Sequence, residues 1–236
     1  MTMRGLESLP TPVAEVITTA TGAEHRHDPI RPRTGGPAGN ARLTAWLGVL
    51  LLIAFLVEGV TLISLNRLVS VHIFVGALLV PLALVKTATT TWRMVRYYAG
   101  NADYQQAGPP PLLLRLLGPL VVLTSLAVLG TGLALLPLGE SSRQPFLTVG
   151  GFAVGAFTLH QGAFAVWLVI TSLHTLGRLV PALMLAGNRV SGVRVPGGAG
   201  RLSLLALTVG AAVVTGIVVL SLSGSYWGSA GFDAHP

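Results

Sequence analysis

The chain has 236 residues, 52% hydrophobic and only 10% charged, with a formal net charge of +7 and a mean hydropathy of +0.72. Soluble domains carry about 25% charged residues, so this composition excludes a water-soluble globule and reads as an integral membrane protein. The absence of cysteine excludes disulfides, iron–sulfur clusters and any thiolate-held metal group.

Residues 1–42 are polar and rich in Pro, Gly, Thr and Arg, as in "HRHDPIRPRTGGPAGNAR". No apolar periodicity runs through them, which predicts a disordered tail. The first apolar run starts near Leu43 and is long enough to span a bilayer, so it reads as a span and not as a cleaved leader. Crossing a bilayer takes roughly 20 apolar residues, and five segments qualify: about 43–65, 68–92, 116–138, 149–176 and 202–222. The first is interrupted by Glu58, the second by His72 and Lys86, and the fourth by His160 and His174. The stretch 179–185 is too short to span; it extends the fourth helix or lies at the interface. The expected fold is all-α, a five-helix transmembrane domain over 43–222 followed by a short external tail at 223–236.

Arginines near the ends of spans orient such a bundle. Twelve fall on the side of the N-terminus: Arg4, Arg26, Arg31, Arg33, Arg42, Arg93, Arg96, Arg115, Arg178, Arg189, Arg194 and Arg201. Two, Arg67 and Arg143, fall on the other. This predicts a cytoplasmic N-terminus and an outer C-terminus. The basic charge is then a topology signal and a contact with anionic lipid, which argues against nucleic acid as a partner. Trp92, Tyr97, Tyr98 and Tyr104 read as an aromatic belt on one side, Tyr226 and Trp227 on the other.

Ionisable groups within spans are functional-site candidates, and the chain has five: Glu58, His72, Lys86, His160 and His174. His25, His27 and His235 lie in the tails. A separation of fourteen residues is about 21 Å of helix rise and returns to within roughly 40° of the same face. His160 and His174 show that separation, and so do His72 and Lys86. The second and fourth spans run parallel, so His72 is expected to face His160 in the outer leaflet and Lys86 to face His174 in the inner one. Two neutral imidazoles from facing helices can clamp a haem iron. Small residues lie at matching depths: Gly76, Gly130, Gly132, Gly155, Ala156, Gly162 and Ala163.

Parallel helices carrying His-x13-His in register resemble the di-haem membrane cytochromes b, the bis-histidine, quinone-linked subunits of bacterial hydrogenases and formate dehydrogenases. The resemblance covers about 68–176 and rests on His72, His160 and His174. The stretches "LLVPLALVKTATTTWRMVRYY" and "AGPPPLLLRLLGPLVVLTSLAVLGTGLAL" also resemble actinobacterial membrane proteins of cytochrome-b-like type. The resemblance implies haem b with His72 and His160 as axial ligands, quinone as electron-transfer substrate and a redox partner subunit. Any enzyme activity would then need that partner subunit. The departure is Lys86, where the di-haem pattern has a fourth histidine. Deprotonating a lysine to ligate iron costs about 1.4 kcal/mol per pKa unit required, so an ordinary bis-histidine haem is not expected at the inner site. There, either His174 binds a second haem with another ligand, or Lys86 pairs with a propionate or a quinone oxygen, or nothing binds.

Other readings stand beside these. The histidines can make interhelical hydrogen bonds in a non-redox structural, assembly or transport protein. Lys86 can snorkel to the interface near Arg93. Glu58 is either protonated and bonded within the bundle or a proton carrier for quinone chemistry.

Overall fold

The computed structural model describes residues 9–23, 27–187 and 194–227, with the side chains of 140 and 225–227 excepted. Arg4, His25, Arg26, Arg189 and His235 lie outside the described residues, as do the side chains of Tyr226 and Trp227. The described chain is mostly helical: α1 (Thr11–Ala20), α2 (Gly36–Thr61), α3 (Leu65–Tyr98), α4 (Ala102–Gln106), α5 (Leu112–Leu138), α6 (Ala156–Ala186) and α7 (Gly198–Trp227). A 3-10 turn, Leu62–Ser64, joins α2 to α3, and another, Gly139–Arg143, follows α5. Two short strands, β1 (Pro145–Val149) and β2 (Phe152–Gly155), form an antiparallel hairpin.

Four helical stretches are long and apolar enough to cross a membrane: Gly36–Tyr98 taken through its 3-10 turn, Leu112–Leu138, Ala156–Ala186 and Gly198–Gly224. Their large apolar side chains point outward, with Ile63 83% exposed, Leu207 72% and Leu176 69%. In water each such side chain forfeits about 1.5–3 kcal/mol relative to burial; against lipid it does not. The chain is therefore a multi-pass membrane protein whose apolar helices suit contact with a bilayer.

The helices contribute to two compact units. In the unit made of Met1–Leu50, Val85–Val122 and Ile170–Ala206, α2 and α3 touch in descending register. Asn40 donates to the Thr89 carbonyl at 3.1 Å, the Thr44 and Thr89 hydroxyls are 3.0 Å apart, and Gly48 lies against Lys86. In the unit made of Leu51–Leu84, Leu123–Val169 and Leu207–Pro236, Glu58 lies beside Gly76 and His72, and Thr61 beside His72. In each unit α2 and α3 are antiparallel. The reversal falls on a polar cluster, where Asn66 Oδ1 accepts from the Arg67 amide at 3.0 Å.

The structure departs from the sequence expectations at several edges. The predicted disordered tail of 1–42 contains α1, and α2 begins seven residues earlier than residue 43, at Gly36. The cause lies in Arg201, only 7% exposed, which donates to the carbonyls of Thr34, Pro196 and Val195 at 3.0, 2.7 and 2.9 Å. Gly39 makes room for it: a Cβ there would lie 2.6 Å from the Thr34 carbonyl and 2.7 Å from the guanidinium. The expected fourth span, 149–176, begins instead at Ala156, because Gly150 and Gly151 (φ 55° and 86°) form a hairpin turn of the kind that needs positive φ at both central residues. The stretch 179–185 continues α6. Tyr104 does not join the aromatic belt; it is 7% exposed, and the Arg96 guanidinium lies 6.0 Å from its ring centre.

Arg31 and Asp103 form a two-point ion pair, at 2.5 and 2.7 Å. The hydrogen bond from Arg31 holds the Asp103 carboxyl below its usual range. A depressed carboxylate stabilises the fold above its unfolded value, about 3.9 for aspartate, and the contribution is lost as pH falls through the folded value. Acid titration of melting temperature is expected to show a step at low pH that Asp103→Asn removes; a profile identical in the variant contradicts the pair's role.

Candidate functional site

The unit containing Leu51–Leu84 and Leu123–Val169 brings together three of the five intramembrane candidates. His72 on α3 and His160 on α6 face each other with ring centroids 6.4 Å apart and ring planes at 78°. Glu58 on α2 places Oε1 3.0 Å from His72 Nδ1. All three side chains are largely withdrawn from solvent, with Glu58 16% and His72 22% exposed.

Two threonines, which the sequence reading did not single out, orient the imidazoles. Thr61 Oγ1 lies 2.9 Å from His72 Nδ1, and Thr131 Oγ1 lies 3.1 Å from His160 Nδ1. A hydroxyl has one proton to donate. Thr61 gives its proton to the Glu58 carbonyl at 2.5 Å, and Thr131 gives its own to the Ala127 carbonyl at 2.7 Å. The roles at each threonine–imidazole contact depend on the tautomer. A threonine that gives its hydrogen to the helix carbonyl accepts from the imidazole, which places that ring's hydrogen on Nδ1 and its lone pair on Nε2. That is the tautomer of a metal-ligating histidine oriented through its other nitrogen. The helical backbone makes this possible, because a threonine can bond the carbonyl three or four residues back.

Packing holds the frame. Trp167 donates to Ser125 Oγ at 3.0 Å and meets the Phe55 ring edge-on at 4.7 Å, tying α5, α6 and α2 near the site. Gly132 abuts His160, where a Cβ would lie 3.1 Å from the ring. Gly216 of α7 lets the backbone of that helix close on Phe74, two residues past His72, since a Cβ would sit 2.7 Å from the Phe74 ring. Gly155 belongs to β2, where its missing side chain admits the Gln144 carbonyl.

Metal–imidazole bonds are about 2 Å long, so two rings ligating one metal from opposite sides have centroids about 6 Å apart. The 6.4 Å centroid separation of His72 and His160 is close to that spacing, and a ring that gives its Nδ1 hydrogen to threonine keeps Nε2 for a metal. A bare ion coordinated by a larger cluster fits less well. Among the described residues no group of three or more His, Asp or Glu side chains is placed to hold a metal ion.

The inner candidates lie in the other unit and are arranged differently. Lys86 Nζ donates to the Thr44 carbonyl at 3.1 Å, which ties the side chain to α2. His174 lies within electrostatic reach of Lys86 and Arg178, and its buried Nδ1 has no hydrogen-bond partner among the described residues. Among the described residues no hydroxyl meets His174 Nδ1 as Thr61 and Thr131 meet the other two imidazoles.

Comparison of the chain with protein-family models, with curated proteins and with solved structures gives no match.

Proposed function

We propose that the chain is a membrane electron-transfer protein that holds one haem b between His72 and His160, near the outer face of a bacterial inner membrane. The observation that carries this reading is the pair of facing imidazoles, each with Nδ1 at hydrogen-bond distance from a threonine hydroxyl and with ring centroids 6.4 Å apart, a separation that suits one iron. Haem b would supply a one-electron iron couple. His72 and His160 would hold it from opposite sides, Thr61 and Thr131 would fix ring orientation, and Glu58 would share the Nδ1 hydrogen of His72. Quinone as electron donor or acceptor and a redox partner subunit rest on the resemblance to cytochrome b subunits.

Five spans, a cytoplasmic N-terminus and an outer C-terminus complete the proposal. A single helix over Gly36–Tyr98 would be about 95 Å long, three times the bilayer core of about 30 Å. The antiparallel contacts of α2 and α3 support two spans in that stretch. The arginine distribution supports the orientation. Lys86, committed to Thr44, supports one haem and not two.

The second reading is a non-redox structural, assembly or transport protein, in which the same two histidine–threonine bonds simply tie α2 to α3 and α5 to α6. Thr61→Val and Thr131→Val separate the two. For a haem protein each is expected to weaken haem retention by about 10–100-fold, the usual cost of losing a group that orients a ligand, as measured by haem transfer to an acceptor protein. Haem retention unchanged in both variants would overturn the tautomer argument.

A further inference from the structure

The unit made of Met1–Leu50, Val85–Val122 and Ile170–Ala206 contains an open cleft of about 880 Å³. Arg31, Arg96, Arg201 and Asp103 are its charged lining residues, three guanidinium groups against one carboxylate. Arg31 is matched by Asp103. Arg201 is 7% exposed, bonds only carbonyl groups and keeps an unpartnered Nε. Arg96 also has a buried Nε without a partner, and its guanidinium stacks over Trp92 at 5.4 Å. A buried guanidinium with no carboxylate bonded to it, as at Arg201, is costly, and an anion seated in the cleft would offset its charge together with that of Arg96.

The cleft is basic at one end, and Leu43, Val85, Ala88 and Leu204 give it an apolar wall in which Asn40 and Thr89 are bonded to each other. It follows a single face of α3 through Val85, Thr89, Trp92 and Arg96, a run of about 16 Å. Leu43 of α2 and Leu204 of α7 line it as well. Its basic end lies where α2 begins, α3 ends and α7 begins, the level at which apolar helices meet polar loops. A phosphate alone would gain nothing from the apolar stretch; an amphiphile with a phosphate head and an acyl chain uses both parts.

We propose that this cleft is a binding site for an anionic phospholipid, its phosphate neutralising Arg96 and Arg201 and one acyl chain lying along Val85, Leu43 and Leu204. The site is independent of the haem reading and needs only that the protein lies in a membrane. Basic pockets between membrane helices take anionic headgroups, with about 1 kcal/mol gained per arginine near the phosphate, so an excess of two guanidinium groups over carboxylates favours anionic over zwitterionic lipid by roughly tenfold or more.

The test uses the full-length protein in detergent, stripped of lipid and titrated separately with phosphatidylglycerol, phosphatidylcholine of the same chain length and inorganic phosphate. Bound species are counted by native mass spectrometry. Phosphatidylglycerol is expected to bind about tenfold more tightly than phosphatidylcholine, with the preference falling as salt rises. Arg96→Gln should lower that preference several-fold. Asp103→Asn, which frees Arg31, should raise it, and this variant decides the matter if Arg96→Gln does not fold. Equal binding of the two lipids overturns the proposal. So does a preference unmoved in both variants, and so does inorganic phosphate competing at the same concentration as the lipid.

Discussion

Replacing either His72 or His160 with alanine is expected to take the purified protein from about one haem per chain to less than about a tenth, because a low-spin bis-histidine site loses its character with either axial ligand. The loss should not come from unfolding. His72 touches Thr61 and Glu58, and His160 touches Thr131; stranding such polar partners costs about 1–3 kcal/mol, which a bundle tied by Trp167, Ser125 and Phe55 survives. Far-ultraviolet circular dichroism therefore stays near wild type while the α-band disappears. His174→Ala is the internal control. Its Nδ1 makes no hydrogen bond among the described residues, so the variant should keep the haem of the outer pair. Loss of the same α-band in His174→Ala would mean that the ligands have been assigned to the wrong helix positions.

The second large effect concerns stability. Arg201→Ala removes the donor from three carbonyls, those of Thr34, Pro196 and Val195. Water entering from the open cleft can replace part of this, so the cost is about 3 kcal/mol, against about 1–3 kcal/mol for each acceptor left fully unsatisfied. For a chain of this size that is a fall in melting temperature on the order of 10 °C. Arg201→Lys should recover only part of it, because an ammonium cannot reproduce the planar fork that reaches three acceptors at once. A melting temperature within about 2 °C of wild type in Arg201→Ala would show that the turn before α2 is held by something else.

These two residues mark what could be read from the chain beforehand and what could not. The long apolar helices were legible because hydropathy over about 20 residues is a summed signal. The facing of His72 and His160 was legible because a register of fourteen residues repeats on two helices that run parallel. Thr61 and Thr131 were not. A threonine in an apolar helix is common, and what distinguishes these two is a partner on a different helix. Thr61 lies three residues after Glu58, and its hydroxyl returns to the Glu58 carbonyl, but no spacing along the chain points from it to His72.

Arg201 was read only as one of twelve arginines that orient the bundle. Its clasp on Thr34 joins positions 167 residues apart, a closure that no local pattern announces. Gly35 and Gly36, both with positive φ, were the visible trace of an ordered turn, though composition alone made that stretch look like a tail. The hairpin left a clearer mark. Gly150-Gly151 between "PFLTV" and "FAVG" is a two-residue turn signal, masked because the apolar residues of β2 run straight into those of α6. Lys86 shows the same limit from the other side: its depth was legible, but its commitment to the Thr44 carbonyl on α2 depends on tertiary contact.

The central question is whether His72 and His160 together hold an iron porphyrin. The direct measurement is a reduced-minus-oxidised visible spectrum of the full-length protein purified from haem-replete cells, with haem quantified against protein. The account predicts a sharp b-type α-band and about one haem per chain. A colourless protein would contradict it, leaving the two imidazoles as hydrogen-bonded ties between helices.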